Sequence, residues 1–180
     1  MGGGRGSGIA RGRFQAQQRA SQGRTLVRKK DPPRRLTFLI DRSLGRTLAE
    51  RMREVGADAI GLDERYPQNA LDEEWLPDAG TNGWIVLSKD HEIRRNFLEI
   101  DAIMVHRVGC FLLPKNLTKE KMVALVLPLL KRLENISRSR AAPFIYVVHR
   151  DGRLERRDTE EWLKRWREDR EARELPPIIR

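Results

Sequence analysis

Leu36-Thr37-Phe38-Leu39-Ile40-Asp41 and Trp84-Ile85-Val86-Leu87-Ser88-Lys89-Asp90 are the two runs whose reading decides the fold. Each is a short apolar stretch that ends in polar residues and an aspartate. Runs of this length bounded by polar residues read as buried strands of a parallel sheet. Between them, Leu48, Met52 and Val55 recur at helical spacing and predict a helix over 46–55, with Gly56 as its stop. Ala57–Leu62 reads as a second strand and 63–69 as a polar loop. Strand, helix, strand in that order implies a right-handed crossover and a parallel pair. Ligand crevices of open α/β sheets lie beyond the carboxyl ends of the strands. Asp41 and Asp90 therefore fall at the expected crevice. The acidic run Asp72-Glu73-Glu74 opens a helix from which a third acid can join them.

Downstream, 91–98 reads as a short helix, and Ala102–His106 and Cys110–Leu113 as two further short apolar runs. Thr118 caps a long helix whose stripe is Met122, Leu125, Val126, Leu129, Leu130 and Leu133, the pattern of a core helix. Pro143–His149 reads as a strand, turned by Asp151-Gly152 into a hairpin with Arg153–Arg156. A charged helix over Thr159–Glu174 carries Trp162, Leu163 and Trp166 on one side, a face expected to dock on the domain. The fold class is α/β with a mainly parallel sheet.

Charge is unevenly distributed along the 180 residues. Of the net +10, residues 1–35 hold +9, from ten Lys/Arg and one Asp. That stretch is rich in Gly, Arg, Gln and Ser and cannot bury enough apolar surface to offset its ordering entropy, so it reads as a disordered basic tail. It serves either as an electrostatic arm for nucleic acid or as a solvated extension. A single cysteine, Cys110, rules out an internal disulfide and suits a reducing compartment. No apolar run approaches the ~18–20 residues of a membrane span. The expected setting is the cytoplasm, with no membrane partner.

Several chemistries are excluded by pattern. One Cys and three His at unrelated spacings do not make a zinc site. No Gly-rich phosphate loop follows the first strand, and no G-x-S-x-G elbow is present. The acids remain. Carboxylates gathered in one crevice repel unless a cation or a shared proton intervenes. Mg²⁺ or Mn²⁺, taking oxygen ligands from Asp41, Asp72 and Asp90, meets that demand. Asp72 has a second reading, as the cap of its helix. Arg42, Lys89, Arg94 and Arg95 lie beside these acids in sequence and suit the phosphates of a polynucleotide.

The runs Phe38-Leu39-Ile40-Asp41-Arg42-Ser43-Leu44-Gly45, Asp72-Glu73-Glu74-Trp75-Leu76 and Gly83-Trp84-Ile85-Val86-Leu87-Ser88-Lys89-Asp90 resemble the PIN-like domains of VapC-type toxins. Asn116-Leu117-Thr118 and Pro143-Phe144-Ile145, followed by His149-Arg150-Asp151-Gly152, also match that pattern. The resemblance covers 36–157, leaving the tail 1–35 and the C-terminal segment 158–180 outside it. It implies a PIN-like three-layer fold, a central sheet flanked by helices. It also implies a metal-dependent endoribonuclease, the toxin of a toxin–antitoxin pair. RNA would be the substrate, a cognate antitoxin the partner, and a homodimer is compatible with the pattern. The alternative is a catalytically inactive PIN-like protein that binds RNA or regulates. By the same resemblance the family's acids fall on Asp41, Asp72 and Asp90, with Glu73 or Glu74 as alternatives to Asp72. A fourth acid found in many PIN domains has no clear match; Asp101 is the nearest.

Overall fold

The computed structural model describes residues 36–89 and 97–178. The basic tail lies outside those residues, as do Asp90, Arg94 and Arg95. Six strands form one sheet in the order β2-β1-β3-β4-β5-β6. They are β1 (Thr37–Ile40), β2 (Asp58–Gly61), β3 (Ile85–Ser88), β4 (Gly109–Leu112), β5 (Phe144–Val148) and β6 (Leu154–Arg156). The first five are parallel, and β6 returns antiparallel through the expected hairpin. This is an α/β fold with a mainly parallel sheet covered by helices on both faces.

Side chains alternate between the faces at the period of a strand. Phe38, Ile40, Ile85, Leu87, Phe111, Phe144 and Val148 enter one core. Leu39, Val86, Cys110, Leu112, Ile145 and Val147 enter the other. The first core is closed by α1 (Arg46–Glu54) and α5 (Lys119–Ser139), through Leu48, Met52, Met122, Val126 and Leu133. Thr118 caps α5 by accepting from the backbone N–H of Lys121, as its sequence position implies. The second core is closed by α2 (Leu62–Arg65), α3 (Asp72–Asn82), α4 (Phe97–Val105) and α6 (Glu160–Ala172).

Two readings of the sequence are corrected. Leu62, expected to end a strand, and residues 63–65, expected to open a loop, form α2, held by a double contact of Glu64 with Arg53 at 2.9 Å. Ala102–Val105 end α4 instead of forming an extended run, with His106 in the turn that follows. Pro77 lies inside α3, which continues to Asn82 and stops at Gly83 in the left-handed conformation. The charged α6 does dock: Trp166 is buried, and Arg170 pairs with Asp101 on α4.

Helices α3 and α4 approach closely at their carboxyl ends. A Cβ on Gly80 would stand 1.8 Å from the carbonyl oxygen of His106, so only glycine admits this contact. Both helices precede parallel strands, which places both amino termini at the carboxyl edge of the sheet.

Candidate active site

The strand order turns at β1, whose neighbours are β2 and β3. This is the switch point at which open α/β sheets form a crevice. Asp41 follows β1 there, and its backbone N–H donates to Leu87 O at 3.0 Å, extending the β1–β3 pairing. The chain then makes a single 3-10 turn, Arg42–Leu44, with Asp41 as its cap.

The Asp41 carboxylate is clamped. Its Oδ2 accepts from Ser43 Oγ at 2.7 Å and from Ser88 Oγ at 2.6 Å, and its Oδ1 accepts a longer bond from Ser43 N at 3.4 Å. Ser88 ends β3 and is 1% exposed. The turn after β1 and the end of β3 thus fix one carboxylate through two hydroxyls. Asp72 occupies the first turn of α3 and accepts from its own helix's Trp75 Nε1 at 3.0 Å. The helix cap is Leu71, so Asp72 is not the cap residue that its position suggested.

Asp41, Asp72, Ser88 and Glu99 line one small cavity of about 70 Å³, floored by Trp75, Leu76, Val86 and Ile103. Of the three acids that open α3, Asp72 reaches this cavity, while Glu73 and Glu74 are exposed and do not line it. Glu99, from the first turn of α4, was missed in the sequence. Asp101 stood nearest the expected place for a further acid, but it is bound to Arg170 and to Trp166 Nε1 on α6. Two positions along a helix turn a side chain by about 200°, so Glu99 and Asp101 face opposite ways. The signal available in the sequence was an acid in the first turn of a helix that leads into a buried strand.

Among the sequence-adjacent cations, Arg42 donates to the carbonyls of Pro67 at 2.5 Å and Ala70 at 3.4 Å, tying down the loop ahead of α3. Lys89 is half-buried just beyond Ser88, with its N–H 3.5 Å from Ser43 Oγ. Beneath the site, burial pushes the Cys110 thiol far above its usual range, and the charge of Asp41 adds to the effect. Cys110 is a packing residue.

The side chains of Asp41, Asp72, Ser88 and Glu99 that line the cavity present oxygen, the chemistry that a hard cation selects. Among the described residues, no three His, Cys, Asp or Glu side chains stand close enough together to enclose one ion. Mg²⁺ commonly takes only one or two direct carboxylates and keeps water for the rest, so the donor set suits it. The amino termini of α3 and α4 add positive partial charge at the same edge, which favours ionised carboxylates or a bound anion.

Residues 36–115 match the family model described as a PIN like domain. The chain is 29% identical over 118 residues to a Mycobacterium tuberculosis (strain ATCC 25618 / H37Rv) protein named "Putative ribonuclease VapC45". That alignment spans 62% of this chain and 85% of the relative. No solved structure matches. The sheet, the acids at its switch point and these similarities agree: residues 36–115 are similar to PIN-like domains, and the chain resembles those of the VapC type.

Proposed function

We propose that this protein is a metal-dependent endoribonuclease acting as the toxin of a toxin–antitoxin pair. The observation that carries the reading is the convergence of Asp41, Asp72 and Glu99 on one cavity at the β1/β3 switch point. The similarity to a protein named as a VapC ribonuclease supports the substrate class. Asp41, Asp72 and Glu99 line the cavity that would hold Mg²⁺ or Mn²⁺, one or two of them as direct ligands and the rest through water, and Asp90 follows Lys89 in sequence as a further candidate. When bound, the ion supplies positive charge against a phosphodiester and lowers the pKa of a coordinated water.

The chain's own residues do the rest. Ser43 and Ser88 hold Asp41 in one orientation, so that its carboxylate is positioned before substrate arrives. Arg42, Lys89, Arg94 and Arg95 are the cations assigned to RNA phosphates, Arg42 while also anchoring the 67–70 loop. Trp75, Leu76 and Ile103 line the cavity with apolar surface beside the acids. The partners in this reading are RNA and an antitoxin protein, with a homodimer compatible, in the cytoplasm. Among the described residues no helix is long and apolar enough to cross a membrane.

The test is cleavage of RNA with and without Mg²⁺ or Mn²⁺, alongside thermal unfolding. Asp41→Asn should abolish cleavage and lower the melting temperature by only a few degrees, because the amide oxygen can still accept from Ser43 and Ser88. Metal should raise the melting temperature of the native protein by mass action, and much less so in the variant. Cleavage by Asp41→Asn at the native rate would overturn the assignment. Binding of RNA without cleavage under any metal would favour the inactive RNA-binding or regulatory alternative.

A further inference from the structure

A second cavity, of about 760 Å³, lies at the opposite edge of the sheet, among residues that bracket the amino ends of β4 and β5 and the end of β6. Its volume falls within the ~300–1,000 Å³ typical of small-ligand sites. Arg107, Arg140, Arg156, Arg167 and Arg170 line it, against the two acids Asp158 and Glu171. The buried Asp158 is shared by Arg140 and Arg156, each at 3.1 Å, and Asp101 takes Arg170. Among the described residues, Arg107 and Arg167 have no acidic partner, and the buried Nε of Arg140 has no hydrogen-bond partner. Met104, Leu163 and Trp166 supply an apolar wall beside these cations.

Arg107 adds an independent observation. It follows α4 with φ 57°, the left-handed position where glycine ends a helix with less strain. Val108 N donates to Ile103 O at 2.9 Å across this turn. The chain thus keeps a cation on the cavity at a backbone position better suited to glycine. Strain retained at such a place points to a role for the side chain.

We infer that this cavity binds a small organic anion, a phosphate or carboxylate group carried on an apolar or aromatic body. The anionic group takes the arginine forks, which match planar oxyanions, and the body lies against Met104, Leu163 and Trp166. The site is separate from the acid cleft: Ile103 of α4 lines one cavity and the adjacent Met104 the other.

Calorimetric titration of the full chain tests this, with adenosine 5′-monophosphate and octanoate as probes and inorganic phosphate and adenosine as controls. At least one probe should bind about tenfold or more tightly than either control, the worth of adding one charge-assisted contact to an apolar one. Binding of the nucleotide alone identifies an organic phosphate, and of octanoate alone a carboxylate. Arg107→Gly should weaken binding about tenfold while leaving the melting temperature unchanged or higher, an outcome that a purely structural role for Arg107 would not give. Arg167→Gln should weaken binding similarly, and Asp41→Asn should leave it unchanged. The inference is overturned if neither probe binds better than the controls, if Arg107→Gly binds as the native chain does, or if Asp41→Asn abolishes binding.

Discussion

Ser88→Ala tests whether the Asp41 clamp is an energetic unit. Ser88 Oγ donates to Asp41 Oδ2 at 2.6 Å from a position that is 1% exposed. A hydrogen bond to a charged acceptor contributes about 1.5–3 kcal/mol. Asp41 is half-exposed and keeps the Ser43 hydroxyl at 2.7 Å, so the lower end applies. A loss of about 1.5 kcal/mol in a chain of this size lowers the melting temperature by about 3–6 °C. The same substitution made in an Asp41→Ala background should cost about 0.5 kcal/mol or less, because the acceptor is already gone. Thermal and urea unfolding of the four proteins complete the cycle. Equal cost in both backgrounds would refute the clamp, since Ser88 would then be stabilising β3 by packing alone. Cleavage should fall in Ser88→Ala mainly through kcat, because the clamp orients a reacting group and does not contact substrate.

Three further outcomes are expected. Asp101→Ala leaves the 8%-exposed Arg170 as a buried charge without its acid, so about 3 kcal/mol or more should be lost, and limited proteolysis should cut first in α6. An unchanged melting temperature would show that α6 is held by its tryptophans alone. Deleting residues 1–35, which carry +9 of the net +10, should flatten the salt dependence of RNA binding while leaving cleavage by the core, and an unchanged slope would remove the tail from RNA binding. The hydrogen bonds from Arg53 hold the Glu64 carboxyl below its ordinary 4.5, with burial opposing. Its folded value is depressed, so its stabilisation is present above pH ~4.5 and is lost as pH falls through the folded value. The difference in urea midpoint between the native chain and Glu64→Gln should therefore shrink from pH 7 to pH 3.

The carboxyl ends of β1 and β3 were legible because buried parallel strands write themselves as short apolar runs, and the residue that breaks each run stands at the crevice. Asp41 followed directly from that. Helix α4 was obscured for a related reason. It is buried between α3 and α6, so Phe97, Ile100, Ile103 and Met104 are joined by Ala102 and Val105 and no polar face marks the helical period. With the helix unread, its phase was unknown, and the choice between Glu99 and Asp101 could not be made. Ser88 was hidden differently. Its role depends on which strand lies beside β1, and pairing across 47 residues leaves no local trace.

The Gly80–His106 contact has a consequence at a distance. Asp72 and Glu99 begin the two helices that meet there, so the glycine sets the angle at which both acids reach the cavity. A methyl group at position 80 would act as a wedge, with α3 as a lever about 12 Å long between it and Asp72. Residue 80 does not line the acid cavity, yet a side chain there would bear on the width of the cleft. Under the proposed toxin reading, such a position offers a route by which drift could silence the activity while every acidic side chain stays in place.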